Sequence, residues 1–222
     1  MNTLSTEKYN ELLKSDEVIF HDYGSDNLII WFGGINEPHF NPEIARLANC
    51  DILTVRDIMN SWYTTGLTSS HANIDQAILE LKQFIADRKY KKICLCGQSS
   101  GGYGALFYSH LLNADLCIAF SPQTRNVFNG QCQMTPDIRI KDVGEFFDAS
   151  SPTKILLNMS RSESDHDEQF AWNDWLQIEK LRKKPNVTVI THPYDNHSVS
   201  AKLREAGLLY RFTASLINTY LY

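Results

Sequence analysis

The sequence predicts an α/β fold, a mostly parallel central sheet with helices on both faces in a three-layer sandwich, and three observations carry that expectation. Short, strongly apolar runs alternate along the chain with longer stretches of helical period, the order that crossover helices between parallel strands require. The runs are strongly apolar and β-branched, as strands are. One run, Ile93-Cys-Leu-Cys, passes through Gly97-Gln-Ser99-Ser-Gly101 straight into a helical segment.

In chain order, the first expected strands are Val18 to His21, Leu28 to Phe32, which stops at a Gly33-Gly34 pair, and Ile52 to Val55. A helix follows over Ala72 to Arg88, where Ile74, Ile78, Leu81 and Ile85 recur at spacings of three and four. The strand Lys92 to Cys96 leads into a helix over Ser100 to Leu112, and Leu116 to Phe120 is the next strand. The stretch from Pro122 to Ser151 holds Pro122, Asn129-Gly130, Pro136 and a Phe146-Phe147 pair without a long periodic segment. It reads as an excursion over the sheet, a lid or an insertion. The strand Ile155 to Met159, a helix near Asp167 to Lys183, the strand Val187 to His192 and a final helix over Val199 to Tyr220 complete the series.

A chain of 222 residues is long enough for one core, so residues 1–222 are expected to form a single domain. Its 43% hydrophobic and 21% charged residues are ordinary globular proportions. A net charge of -5 with both signs interspersed gives no reason to seek nucleic acid or an anionic membrane. The expected partner is a small molecule or an uncharged chain. Five cysteines, three of them inside strand-like runs, read as reduced core thiols, and Cys94-x-Cys96 lacks the gap and the second pair of a metal site. The Asp165-His-Asp167 run has no second ligand cluster. No metal and no cofactor are expected. The polar N-terminus and the absence of a spanning apolar segment give the expectation of a cytoplasmic protein without a membrane span.

Gly-x-Ser-x-Gly between a strand and a helix is the pattern of a nucleophile elbow. The turn is so tight that the serine takes a strained conformation, while the residues two before and two after it must lack a side chain. Gly97 and Gly101 meet that need, and Ser99 becomes the candidate nucleophile. The N–H of Ser100, at the start of the helix, is then aimed to stabilise an oxyanion.

A serine hydroxyl needs a base, and the base needs an acid to hold its tautomer. His197, in the polar loop Pro193-Tyr-Asp-Asn-His197-Ser after the last strand, lies where the base is expected; His192, at the strand end, reads as a structural or pocket residue. The loop after Met159 is crowded with carboxylates, and Asp165 is the preferred acid, with Asp167 as the alternative and Glu163 behind. The order Ser99, Asp165, His197 differs from the two other chain orders known for such triads. A second oxyanion donor is expected after Phe32, from Gly34 or else Gly33 or Ile35. Gln98 and Tyr103, on either side of the turn, are candidates to line a substrate pocket. Trp31, Trp62, Tyr63 and Phe128 are candidate pocket aromatics, though large aromatics at such positions are more often core.

Through Trp31-Phe-Gly-Gly-Ile35, Gly97-Gln-Ser-Ser-Gly101 and the His197 loop, the chain resembles the α/β-hydrolase superfamily over nearly its whole length. The resemblance implies the α/β-hydrolase fold on an eight-stranded design or a trimmed form of it, and esterase, lipase, amidase or acyl-transfer activity. Through Ala119-Phe-Ser-Pro-Gln123 and His197-Ser-Val-Ser-Ala-Lys-Leu-Arg-Glu-Ala-Gly-Leu208, the chain is also similar to bacterial α/β-hydrolase-like proteins of surface polysaccharide synthesis. That similarity implies Ser121 and Gln123 at the rim of the site. The function expected is a serine hydrolase that cleaves an ester or amide bond of a small molecule or acylated sugar through an acyl-enzyme on Ser99. The alternatives are an acyltransferase with the same triad and a binding protein that kept the fold and lost efficient chemistry.

Overall fold

The computed structural model describes residues 12–13, 15–124, 127–128, 131–132, 142–161 and 174–222. The main sheet holds β1 (Val18–His21), β2 (Asn27–Phe32), β3 (Asp51–Val55), β4 (Lys92–Gln98), β5 (Leu116–Phe120), β8 (Lys154–Ser160) and β9 (Val187–His192). They lie in the order β1-β3-β2-β4-β5-β8-β9, and a separate pair, β6 (Val127–Phe128) and β7 (Gln131–Cys132), forms a two-stranded ribbon. β1 runs antiparallel to β3, and every other neighbour in the main sheet is parallel. The main sheet thus holds seven strands among the described residues where the resemblance implies eight.

Alternate residues of each central strand enter different cores. Leu28, Ile30, Phe32, Leu95, Ala119, Ile155 and Leu157 pack with α2 (Ile74–Arg88) and α3 (Ser100–Leu112). Ile29, Trp31, Cys94, Cys96, Ile118, Phe120 and Leu156 pack with α1 (Glu43–Ala48), α5 (Val199–Glu205) and α6 (Leu209–Tyr220). This two-sided burial requires near-continuous apolar strands, and it makes the three layers. Cys50, Cys94, Cys96 and Cys117 are buried free thiols, and burial pushes the Cys50 thiol up to about 11.

Two helices begin or end differently from the sequence expectation. Asn73 is a cap, not a helical residue: its side chain accepts the Gln76 N–H at 3.0 Å, so α2 starts after it. The final helix is two. Gly207 takes φ 69, its N–H donates to Arg204 O, and the Leu208 N–H donates to Leu203 O, a paired closure that ends α5 and redirects α6. The expected helix over Asp167 to Lys183 is represented by α4 (Asp174–Gln177) and a 3-10 turn at Leu181–Lys183, with residues 162–173 outside the described residues.

The parallel order puts the C-terminal ends of β2, β4, β5, β8 and β9 along one edge, where ligands of open α/β sheets bind. Ser99, Ser121 and the His197 loop all leave the sheet there.

Candidate active site

Ser99 joins β4 to α3 with φ 57 and ψ -119, a conformation costing of order 1–3 kcal/mol that the surroundings must hold. They do so through the backbone. Ser99 N–H donates to Phe120 O at 3.0 Å, and its carbonyl accepts from Tyr103 N–H at 3.1 Å and Gln123 N–H at 3.2 Å. Any side chain on the flanking glycines would break the turn: a Cβ on Gly97 would stand 2.2 Å from Gly101 O, and one on Gly101 2.2 Å from Phe32 O. The Ser99 hydroxyl caps no helix N–H.

It turns instead to His197. Nε2 of His197 lies 2.7 Å from Ser99 Oγ, and Nδ1 lies 2.7 Å from Asp174 Oδ1. A carboxylate only accepts, so Nδ1 carries the proton and Nε2 is free to accept from the serine. The Asp174 side chain is 1% exposed, against 27% for His197. The carboxylate is therefore shielded from water while an edge of the imidazole stays open.

Ser99 and His197 are brought together as their positions in the sequence led one to expect; the acid beside them is a different residue. Asp165 and Asp167 lie outside the described residues, and the carboxylate on His197 is Asp174. It was hidden because the stretch after Asp167 reads as continuous helix, which puts Asp174 in mid-helix. In the structure it lies in α4, and Trp175 beside it donates from Nε1 to Ser160 O at 3.1 Å, fastening this segment to the end of β8.

The oxyanion donors also need correction. Ser100 N–H, at the N-terminus of α3, has no protein acceptor among the described residues. Gly33 is no donor, because its N–H continues the sheet to Val55 O at 2.9 Å. Gly34 N–H points to the Glu37 carboxylate, 2.9 Å to Oε2, a contact that composition gave no means to foresee.

The expected pocket residues are mostly framework. Gln98 is 5% exposed, and its amide is bonded at both ends to the chain around His197. Tyr103 is 1% exposed and packs on Trp62 and Phe107, so it is core, and burial raises its phenol. Trp31 stacks on Phe40 inside the other core, and Tyr63 donates to Gly33 O at 2.7 Å beneath the turn. Gln123 N–H donates to Ser99 O and Ser121 N–H to Asn158 O, yet both side chains are enclosed, at 2% and 0% exposure, with Ser121 Oγ and Gln123 Oε1 lacking a partner among the described residues. Phe128 offers no described side chain. His192 is a structural residue as expected: its Nε2 lies 3.0 Å from Asn158 Oδ1, and burial lowers its pKa.

No family model and no curated protein matches the sequence. Solved structures do resemble the chain. The capsule O-acetyltransferase of Neisseria meningitidis serogroup A superposes with a TM-score of 0.61 at 15% identity, covering 91% of this chain and 92% of that one. A monoacylglycerol lipase of Paleococcus ferrophilus gives 0.58 at 13% identity, over 92% and 99%. A chain of the glycosylation-associated Gap123 complex of Streptococcus agalactiae gives 0.60 at 13% identity over 90% of this chain, which spans only 44% of that one. No helix among the described residues is long and apolar enough to cross a membrane. Identities this low speak of fold alone, and with the sheet order and the strained serine turn they give the chain the α/β-hydrolase fold.

Proposed function

We propose that the chain is a serine acyl hydrolase or acyltransferase acting at Ser99 on an ester of a small molecule or an acylated sugar. The observation that carries this reading is the continuous pair of 2.7 Å contacts from Ser99 through His197 to Asp174. His197 Nε2 takes the Ser99 proton as Oγ attacks the acyl carbon, and Asp174 holds the ring and stabilises the imidazolium. The oxyanion forms against Ser100 N–H. His197 then protonates the departing alcohol, leaving an acyl-enzyme on Ser99. Water activated by His197 releases the acid, or an acceptor hydroxyl takes the acyl group.

The transferase branch is favoured by the likeness to a capsule O-acetyltransferase over nine-tenths of both chains, and a saccharide acceptor fits both that neighbour and the glycosylation-associated one. The hydrolase branch is favoured by the lipase. The deciding experiment supplies an acetyl ester to the protein, with and without an oligosaccharide acceptor, and follows acetate and acetylated sugar separately. Turnover that Ser99→Ala and His197→Ala both abolish supports the reading. Product on the sugar makes the protein a transferase, free acetate alone makes it a hydrolase, and equal turnover in the variants refutes it.

A further inference from the structure

We propose that Glu37 determines which acyl donors react, because its carboxylate occupies the second oxyanion donor until a bound substrate displaces it; this rests on the reading of Ser99 as nucleophile. The turn after β2 closes on itself twice. Glu37 N–H donates to Gly34 O at 3.1 Å, and Gly34 N–H donates to Glu37 Oε2 at 2.9 Å. The turn is seated on the elbow: a Cβ on Gly34 would stand 3.4 Å from Gln98 O and 3.3 Å from Glu37 Cδ, and one on Gly101 would stand 2.6 Å from Gly33 O.

A charged oxygen on a backbone N–H beside a helix N-terminus is the arrangement a tetrahedral oxyanion needs. Glu37 supplies that oxygen from within the chain. Gly33 cannot replace Gly34, since its N–H is held by Val55 O. The full hole therefore forms only when the carboxylate leaves, which also removes a negative charge from beside the developing one. The exit is open: Ile35 and Asn36 face solvent and Glu37 itself is half-buried, while Arg56 Nε donates to the Glu37 backbone carbonyl at 3.3 Å and holds the main chain there. A small ester brings little binding energy to drive that exchange, whereas a donor held by contacts beyond its acyl group does. Glu37 thus suppresses reaction with small free esters.

The test compares wild type, Glu37→Gln and Glu37→Ala by the rate of p-nitrophenyl acetate acylation, Ser99 labelling by a fluorophosphonate, and melting temperature. Glutamine keeps an acceptor without the charge, and alanine removes it, so the expected order is wild type slowest, Glu37→Gln intermediate and Glu37→Ala about tenfold faster than wild type. A side chain that only fastens the turn gives the opposite pattern, Glu37→Gln near wild type and Glu37→Ala slower with a lower melting temperature, and that result overturns the proposal. Rates equal in all three overturn it as well. Labelling at Ser99 without the ordered series defeats this inference alone, while no labelling in any variant defeats the functional reading and this one together.

Discussion

Gln98 Nε2 donates to the His197 carbonyl at 3.1 Å, and Gln98 Oε1 accepts the Ser200 N–H at 3.1 Å. The residue before the serine therefore clamps the loop that carries His197, so that the Gln98-Ser99 dipeptide at the end of β4 sets both ends of the Ser99–His197 contact. Gln98→Leu fills the space without either bond and leaves two chain groups unpaired. The expected result is a fall in kcat of about tenfold or more with KM little changed, since mispositioning of a base acts on the chemical step. Gln98→Glu keeps the acceptor for Ser200 and should recover part of the loss; steady-state kinetics on one ester decide.

Asp174→Asn leaves the shape of the site intact but puts the wrong tautomer on His197. Loss of the carboxylate at this position costs of order 10⁴-fold in kcat in the well-studied serine protease triad, and a fall of about 10³-fold or more is expected here. Asp165→Asn and Asp167→Asn should leave kcat within about twofold. The three variants assayed together identify the acid.

The elbow tolerates no side chain. A Cβ on Gly101 meets the carbonyls of Phe32 and Gly33, and one on Gly97 meets backbone of Gly101 and Gly102. Gly101→Ala is expected to lower stability by about 3 kcal/mol, the upper end for overpacking, because backbone rather than a flexible side chain must move. Urea unfolding at constant m-value measures it.

His192 titrates below its ordinary range because burial disfavours its charged form. The unfolded chain then binds more protons than the folded one in the window between the lowered pKa and about 6.5. Its contribution to stability is present above that ordinary pKa and is lost as pH falls through the window. His192→Gln, which does not charge, should therefore lose less melting temperature between pH 7 and pH 5 than wild type. Equal slopes would show that other groups govern the acid side.

Much of the framework was legible because it rests on local chemistry. The apolar runs of β1, β5 and β9 have the bounds the sequence suggests, and α3 follows its turn directly. Gly97, Ser99 and Gly101 announce the elbow because no other residues fit the space. What stayed hidden depends on contacts between distant segments. The short α1 has little periodicity to read, and the break at Gly207 looks like one more residue in a long amphipathic stretch until its φ is known. Asp174 comes to face His197 only once Trp175 fastens its segment to Ser160. Gly34 looked like a free donor because nothing in Gly33-Gly34-Ile35 tells that Glu37 folds back onto it.

The central claim is that His197 and Asp174 make Ser99 a nucleophile. Its most direct test treats the folded protein with a fluorophosphonate and locates the adduct by peptide mass spectrometry, beside Ser99→Ala and His197→Ala. The account predicts a single adduct on Ser99, absent in both variants. An adduct elsewhere, or none on a protein shown to be folded, would contradict it.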